Sequence, residues 1–184
     1  MRIALLIAAS LLTAACNQPA ADDTRTANSA DQPLPALGFA KAAAMSDMYE
    51  VTAGNIALER GESEAAREFA KMMVADHTKS SRALQQAIGG VGQDFSMPAT
   101  LDAEHQTQVD ILQSLQGDAF DREYLTQQMA AHRKTIALLK TYGGNGDDAE
   151  LRQFAQSTIP VVQKHLDWLE SNAPMAAAVA SPSQ

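Results

Sequence analysis

GGVGQDFSMPATLDAEHQTQVDILQSLQG, residues 89–117, is too long to be a simple turn and carries structure of its own. It opens on Gly89-Gly90, which stop a helix, and continues through a turn-rich stretch to Pro98. From Asp102 to Leu115 a short helical pattern follows, and Gly117 breaks it. On each side lie two long helical patterns joined by a tight connection. One long middle connection between two tight ones decides how the four long helices can be arranged.

Upstream, apolar residues recur at helical spacing from about Phe39 to Arg60, with Phe39, Ala43, Val51, Ala57 and Leu58 on the stripe. Gly61 ends that helix. A second runs from the plausible N-cap Ser63 to Ile88, with Phe69, Met73, Leu84 and Ile88 on one face. Downstream, Asp118 to Tyr142 carries Phe120, Leu125, Met129, Ile136 and Leu139, and Gly143-Gly144-Asn145-Gly146 reads as a loop. The last long helix runs from about Asp147 to Ser171, with a kink expected at Pro160. No segment alternates with period two for long enough to make a sheet. Tight connections make each pair antiparallel, and one long crossover between two helical hairpins is the ferritin-like arrangement. The expectation is an all-α fold: a ferritin-like four-helix bundle over residues 37–173, with a long crossover carrying an additional short helix.

The ends read differently. Met1-Arg2 followed by the apolar run Ile3–Leu12 and the small residues Thr13, Ala14 and Ala15 has the pattern of a secretory signal peptide over residues 1–15. The run is shorter than the roughly 20 residues a spanning helix needs. Cys16, the only cysteine, follows directly. Leu11-Leu12-Thr13-Ala14-Ala15-Cys16 resembles the lipobox of bacterial lipoproteins, departing from it at Thr13, where that motif usually has Leu, Val or Ile. The resemblance implies a lipidated Cys16, a membrane partner through the N-terminal lipid, and a periplasm-facing protein. By similarity to enterobacterial sorting, Asn17 favours the outer membrane. Ordinary cleavage would instead leave a soluble periplasmic protein with a free thiol. Residues 16–36 are polar, small and proline-bearing, as in a disordered tether, and residues 174–184 read as a flexible tail.

Fourteen Lys plus Arg against twenty-two Asp plus Glu give a net charge of −8. An acidic surface without a basic patch argues against nucleic acid as a partner. There is no Gly-rich phosphate loop and no Gly-x-Ser-x-Gly elbow. Nothing in the composition fixes an oligomeric state.

Four histidines are present: His77, His105, His132 and His165. His77 lies four after Met73, His132 four before Ile136, and His165 four before Leu169, so all three share the apolar faces of their helices. Glu50 falls seven after Ala43 and seven before Ala57, on an otherwise apolar or small-residue line. Glu50, His77 and His132 each sit near mid-helix, where helices of a bundle meet at one height. His165 sits about five residues past the expected midpoint, roughly 7 Å along the axis. One potential ligand per long helix thus converges on the core. Buried charge without a partner costs several kcal/mol. A transition metal ion (Zn, Fe or Cu) held by Glu50, His77, His132 and His165 would explain the set. A core polar network, with Glu50 paired to a protonated histidine, would explain it too. No carboxylate stands three residues before His77, His132 or His165, which argues against a di-iron site. Met73 and Met129, one turn from His77 and His132, read as soft Cu(I) ligands or as core filling. His105, on the crossover, receives no role. Asp76 reads as a flank residue that could orient a neighbour.

Tyr49-Glu50-Val51, the run Phe69-Ala70-Lys71-Met72-Met73-Val74-Ala75-Asp76-His77, and Phe120-Asp121-Arg122-Glu123-Tyr124-Leu125 leading to His132 form a pattern together with Phe154-Ala155 and Ile159-Pro160 leading to His165. In these residues the chain resembles the bacterial envelope proteins catalogued as a domain of unknown function, DUF4142, over about residues 38–170. The resemblance implies a ferritin-like bundle, export and frequently a lipoprotein signal. It implies no settled activity. The functional expectation is an exported envelope lipoprotein that binds a transition metal for storage, buffering or stress tolerance, without a catalytic residue. The competing expectation is a structural or interaction lipoprotein whose histidine cluster is a polar network or a pH sensor.

Overall fold

The computed structural model describes residues 34–89 and 95–178, with side chains as far as residue 172. The expected signal peptide, Cys16, most of the tether and residues 179–184 lie outside the described residues. Five helices follow in order: α1 Ala36–Arg60, α2 Glu64–Ile88, α3 Ala103–Ser114, α4 Gly117–Asn145 and α5 Ala149–Ala178. The described residues contain no strand, so the all-α expectation holds.

Pairing follows from contacts along the helices. Gly61 ends α1 with its N–H on the Ala57 carbonyl at 2.9 Å, and Ser63 caps α2 by accepting from the Ala66 N–H at 3.1 Å. So short a turn folds α2 back against α1. A similarly short turn folds α5 against α4, with Asp148 accepting from the Leu151 N–H at 2.9 Å. Phe39 stacks on Tyr142 at 3.9 Å and the Arg60 guanidinium lies over Phe120 at 5.8 Å, so α1 and α4 are antiparallel. Phe69 meets Trp168, and Asp76 meets His165, so α2 and α5 are antiparallel too. Hence α2 and α4 run parallel, and the chain between them must return the full length of the bundle. The long crossover with α3 does this. Asp102 caps α3, accepting from the His105 N–H at 2.9 Å.

The core has two apolar clusters. One gathers Phe39, Leu84, Leu139, Tyr142, Leu151 and Phe154; the other gathers Tyr49, Phe69, Met73, Leu112, Phe120 and Tyr124. The buried Glu50, His77, His132 and His165 stand between them, each within about two residues of its helix midpoint.

Some boundaries differ from the sequence reading. Gly143, Gly144 and Asn145 are helical, and the loop begins only at Gly146. Gly143 is there for close packing: a Cβ on it would meet Gln156 Cγ at 3.2 Å, and Gln156 Nε2 donates to its carbonyl at 2.6 Å. Gly146 is the true stop, because a Cβ there would lie 2.5 Å from the Tyr142 ring. Helix α5 runs through Pro160 without a break; the carbonyl deprived of a donor there, that of Gln156, belongs to an exposed residue. It also runs on to Ala178, past the expected start of the tail, through the strong helix formers Ala176–Ala178. Leu58 is exposed rather than in the core, because the buried line of α1 passes through Ala53, Gly54 and Ala57. Among the described residues no helix is long and apolar enough to cross a membrane.

The buried face of α1 is mostly small: Ala40, Ala43, Ala44, Ala53, Gly54 and Ala57. This lets α1 and α2 approach closely enough for their polar residues to meet. A Cβ on Gly54 would lie 2.9 Å from Val74 Cγ2 and 3.3 Å from the Ala70 carbonyl oxygen. The Gly54→Leu variant should therefore lose about 1–3 kcal/mol in urea unfolding, despite leucine's better helix propensity. A midpoint at or above wild type would show that the two helices are not held this close.

Candidate metal centre

The three inward histidines come together. His77 on α2, His132 on α4 and His165 on α5 present ring nitrogens that all lie within 4.8 Å of one another. Each is at most 4% exposed. The axial offset expected for His165 vanishes because α5 extends to Ala178, which moves the helix midpoint towards it.

What the outer edge of each ring touches fixes its proton. His132 Nδ1 lies 2.8 Å from the Gln128 carbonyl oxygen, one turn back on α4. A carbonyl only accepts, so Nδ1 carries the hydrogen. His77 Nδ1 lies 2.8 Å from Asp47 Oδ1 on α1, and His165 Nε2 lies 2.9 Å from Asp76 Oδ2 on α2. Carboxylates likewise accept, so those nitrogens carry hydrogens. The opposite nitrogens, His77 Nε2, His132 Nε2 and His165 Nδ1, are then bare in the neutral rings. His132 Nε2 and His165 Nδ1 stand 3.3 Å apart, and His77 Nε2 is buried without a hydrogen-bond partner. With all three rings neutral, three acceptors converge with no donor among them; a proton on His77 would supply one.

Charge around the rings is arranged to match. Burial, reinforced by the charge on His77, pushes the His132 pKa down to about 3, so that ring is neutral. Burial also lowers His165, against the pull of its hydrogen bond to Asp76. Burial opposes charge on His77 as well, but there it is outweighed. The hydrogen bond to Asp47 and the charges of Glu50, Asp47 and Asp76 raise its pKa above 6.5. The cluster is therefore a place that favours one positive charge.

Glu50 is brought to the site but not into the converging group. Its Oε1 lies 3.6 Å from His132 Nδ1, on the edge that already donates to Gln128. Its Oε2 is buried without a partner, as are Tyr124 Oη and both side-chain polar atoms of Gln128. These define a second polar layer, next to the histidines. Burial lifts the Glu50 carboxyl to about 7, opposed by the charge of His77 and by Gln128. His105 stays apart: its Nδ1 pairs with Asp102 at 2.7 Å, and its ring lies 5.2 Å from that of Tyr49.

Asp47 was not singled out by sequence. It lies one turn before Glu50 on the buried face of α1 and is only 5% exposed, and the spacing Asp47–Glu50 was the available signal. Asp76 does orient a neighbour, namely His165 on the facing helix. Met73 and Met129 pack in the apolar clusters, as core filling does.

A family model described as a domain of unknown function, DUF4142, matches residues 17–171. No curated protein matches the chain. Among solved structures, the crystal structure of a DUF305 fragment from Deinococcus radiodurans is similar, with a TM-score of 0.62 at 16% identity. The match covers 73% of this chain and 92% of that one, and it shows a shared helical-bundle fold.

Glu50 supplies a pH test of the site's electrostatics. An acid whose folded pKa is raised from 4.5 to about 7 favours the folded state while protonated and penalises it once ionised. Glu50→Gln should be more stable than wild type at pH 8, by up to roughly 3 kcal/mol. The advantage should shrink through the window from about 7 down to 4.5 and vanish below it. Chemical denaturation of metal-free protein across that range checks this. A difference independent of pH would mean that Glu50 is not a buried acid of this kind.

Proposed function

The chain belongs to the family described as a domain of unknown function, DUF4142, and from the geometry of its histidine cluster we propose that it is a metal-binding protein of the bacterial envelope. His77, His132 and His165 hold one transition metal ion. The protein stores or buffers that ion, or protects against it, and catalyses no reaction. Its ferritin-like bundle is exported by residues 1–15 and anchored through lipid on Cys16, with the outer membrane favoured.

The observation that carries the metal reading is the convergence of three buried imidazoles, each with its outer nitrogen against a carboxylate or carbonyl acceptor. Neutral imidazole with its second nitrogen hydrogen-bonded to a carboxylate or carbonyl is the normal state of a metal-ligating histidine. The 3.3 Å between His132 Nε2 and His165 Nδ1 also fits. A tetrahedral ion holding nitrogens at about 2.0–2.1 Å keeps them about 3.4 Å apart. Three neutral ligands leave the ion's charge uncompensated in the first layer, and Asp47 and Asp76 supply two negative charges directly behind the rings. An all-nitrogen donor group suits zinc or copper better than iron, which more often takes a carboxylate as well. Glu50 then acts as a nearby acid and not as a ligand.

The second reading keeps a proton where the metal would be. It is favoured by the raised pKa of His77, which makes the cluster a polar network that responds to pH. It predicts a melting temperature that changes between pH 5 and 8 and is indifferent to added metal.

The full chain, purified without a histidine tag and stripped of metal, separates the two. Trp168, the only tryptophan, has its ring 4.9 Å from Phe69, which packs on His132 and His165. Titration with Cu²⁺ should quench its fluorescence at one ion per chain, with Cys16→Ser as background control. Zn²⁺ at about 100 times its Kd should add about 2.7 kcal/mol of stability. His132→Ala/His165→Ala should abolish both effects, and Asp76→Asn should weaken binding by about 10–100-fold. Equal metal content in wild type and the double variant would defeat the metal reading.

A further inference from the structure

One turn along the bundle axis from the histidines lies a narrow cleft, partly open to solvent, with room inside for about one water molecule. It reaches His77 and Asp47, and each long helix contributes one hydroxyl to its otherwise largely apolar wall: Ser46 from α1, Ser80 from α2, Thr135 from α4 and Thr158 from α5. All four hydroxyl residues are only half-buried, whereas the three histidines are shut off. Ser46 and Thr135 bond to each other at 3.0 Å across the α1–α4 seam.

We propose that this cleft is the route by which a transition metal ion enters and leaves the core, with the Asp47–His77 pair as its inner gate. The inference rests on the metal reading above and adds the path and the residues that control it. A desolvated divalent ion needs oxygen donors on its way in, and hydroxyls one turn from the site provide them without trapping it. Asp47 is the anionic group at the inner end. One of its oxygens holds His77 Nδ1 at 2.8 Å, and the other is only weakly held by Ser81 at 3.4 Å. An ion reaching Asp47 competes for the carboxylate that orients His77. Loosening that hydrogen bond, the one contact that fixes the outer edge of His77, frees its ring to turn. His132 and His165 do not line the cleft and are held on their outer edges by Gln128 and Asp76. On this path His77 is the moving ligand, and the other two are the fixed pair.

Loading kinetics test the path separately from the site. Metal-free full chain is mixed with Cu²⁺ in stopped flow and followed by Trp168 fluorescence. Thr158→Leu fills the cleft from α5. Thr158→Cys, close to threonine in size, folds with the cleft open and is then blocked by iodoacetamide, with wild type treated identically to account for Cys16. Both the leucine variant and the alkylated cysteine variant should load and release Cu²⁺ about tenfold or more slowly, with the equilibrium titration unchanged. The unreacted cysteine variant should load at the wild-type rate. If the blocked proteins load as fast as wild type while binding equally tightly, the cleft is not the route. If wild type takes up no Cu²⁺ at all, the metal reading itself fails, and the route with it.

Discussion

The inner nitrogens of His132 and His165 stand 3.3 Å apart, and each ring has already committed its proton to a partner on its far edge. Two lone pairs at that distance in an apolar core repel unless something positive lies between or beside them. His77 brings a third lone pair to the same space. The middle of the bundle is organised around that demand. Asp47, Asp76 and the Gln128 carbonyl hold the rings with their bare nitrogens inward, and none of the three could be replaced by an apolar group without releasing a ring. A proton on His77 satisfies the demand minimally. A divalent ion satisfies all three nitrogens at once.

A polar layer of this kind costs stability, and the fold offsets the cost on both sides. Apolar clusters close the bundle above and below it, one built on Phe39 and Tyr142, the other on Phe69, Phe120 and Tyr124. The short turns at residues 61–63 and 146–148 fix each hairpin, so opposing residues stay at one height. Asp121 locks the first turn to α4, accepting from the N–H groups of Glu62 and Ser63 at 3.2 and 2.6 Å. The small face of α1 brings Asp47 within reach of His77. Precision at the centre therefore comes from backbone features far from it.

Much of this was legible in the sequence because helical periodicity is a strong signal and histidines are few. The inward facing of Glu50, His77, His132 and His165 follows from stripe positions alone, and the crossover connectivity follows from loop lengths. The glycines near residue 143 misled, because glycine serves both to end helices and to let them touch, and only Gly146 ends one here. Separately, the early end assigned to α5 displaced the apparent centre of the last helix, and so the apparent height of His165. Asp47 and Asp76 were harder to read. Their role depends on which neighbouring helix they face, which is a property of packing and not of their own helix's stripe. Glu50 shows the same limit: its inward facing was visible, but which edge of His132 it would meet was not.

That last point bears on the kind of chemistry the site can support. A carboxylate inside the converging group would give the ion a charged ligand and hold it tightly. Glu50 instead stands behind His132, raised to about 7 and partly without hydrogen-bond partners. The direct donors are then neutral, and the compensating charge sits one layer out, on Asp47 and Asp76. Neutral donors compete with protons and release an ion more readily than carboxylates or thiolates in the same positions. Among the described residues no second group of converging donors accompanies the three histidines, as two-metal chemistry would require. On the metal reading, a single ion held by neutral ligands with its counter-charge in the second layer would be suited to being taken up and given back.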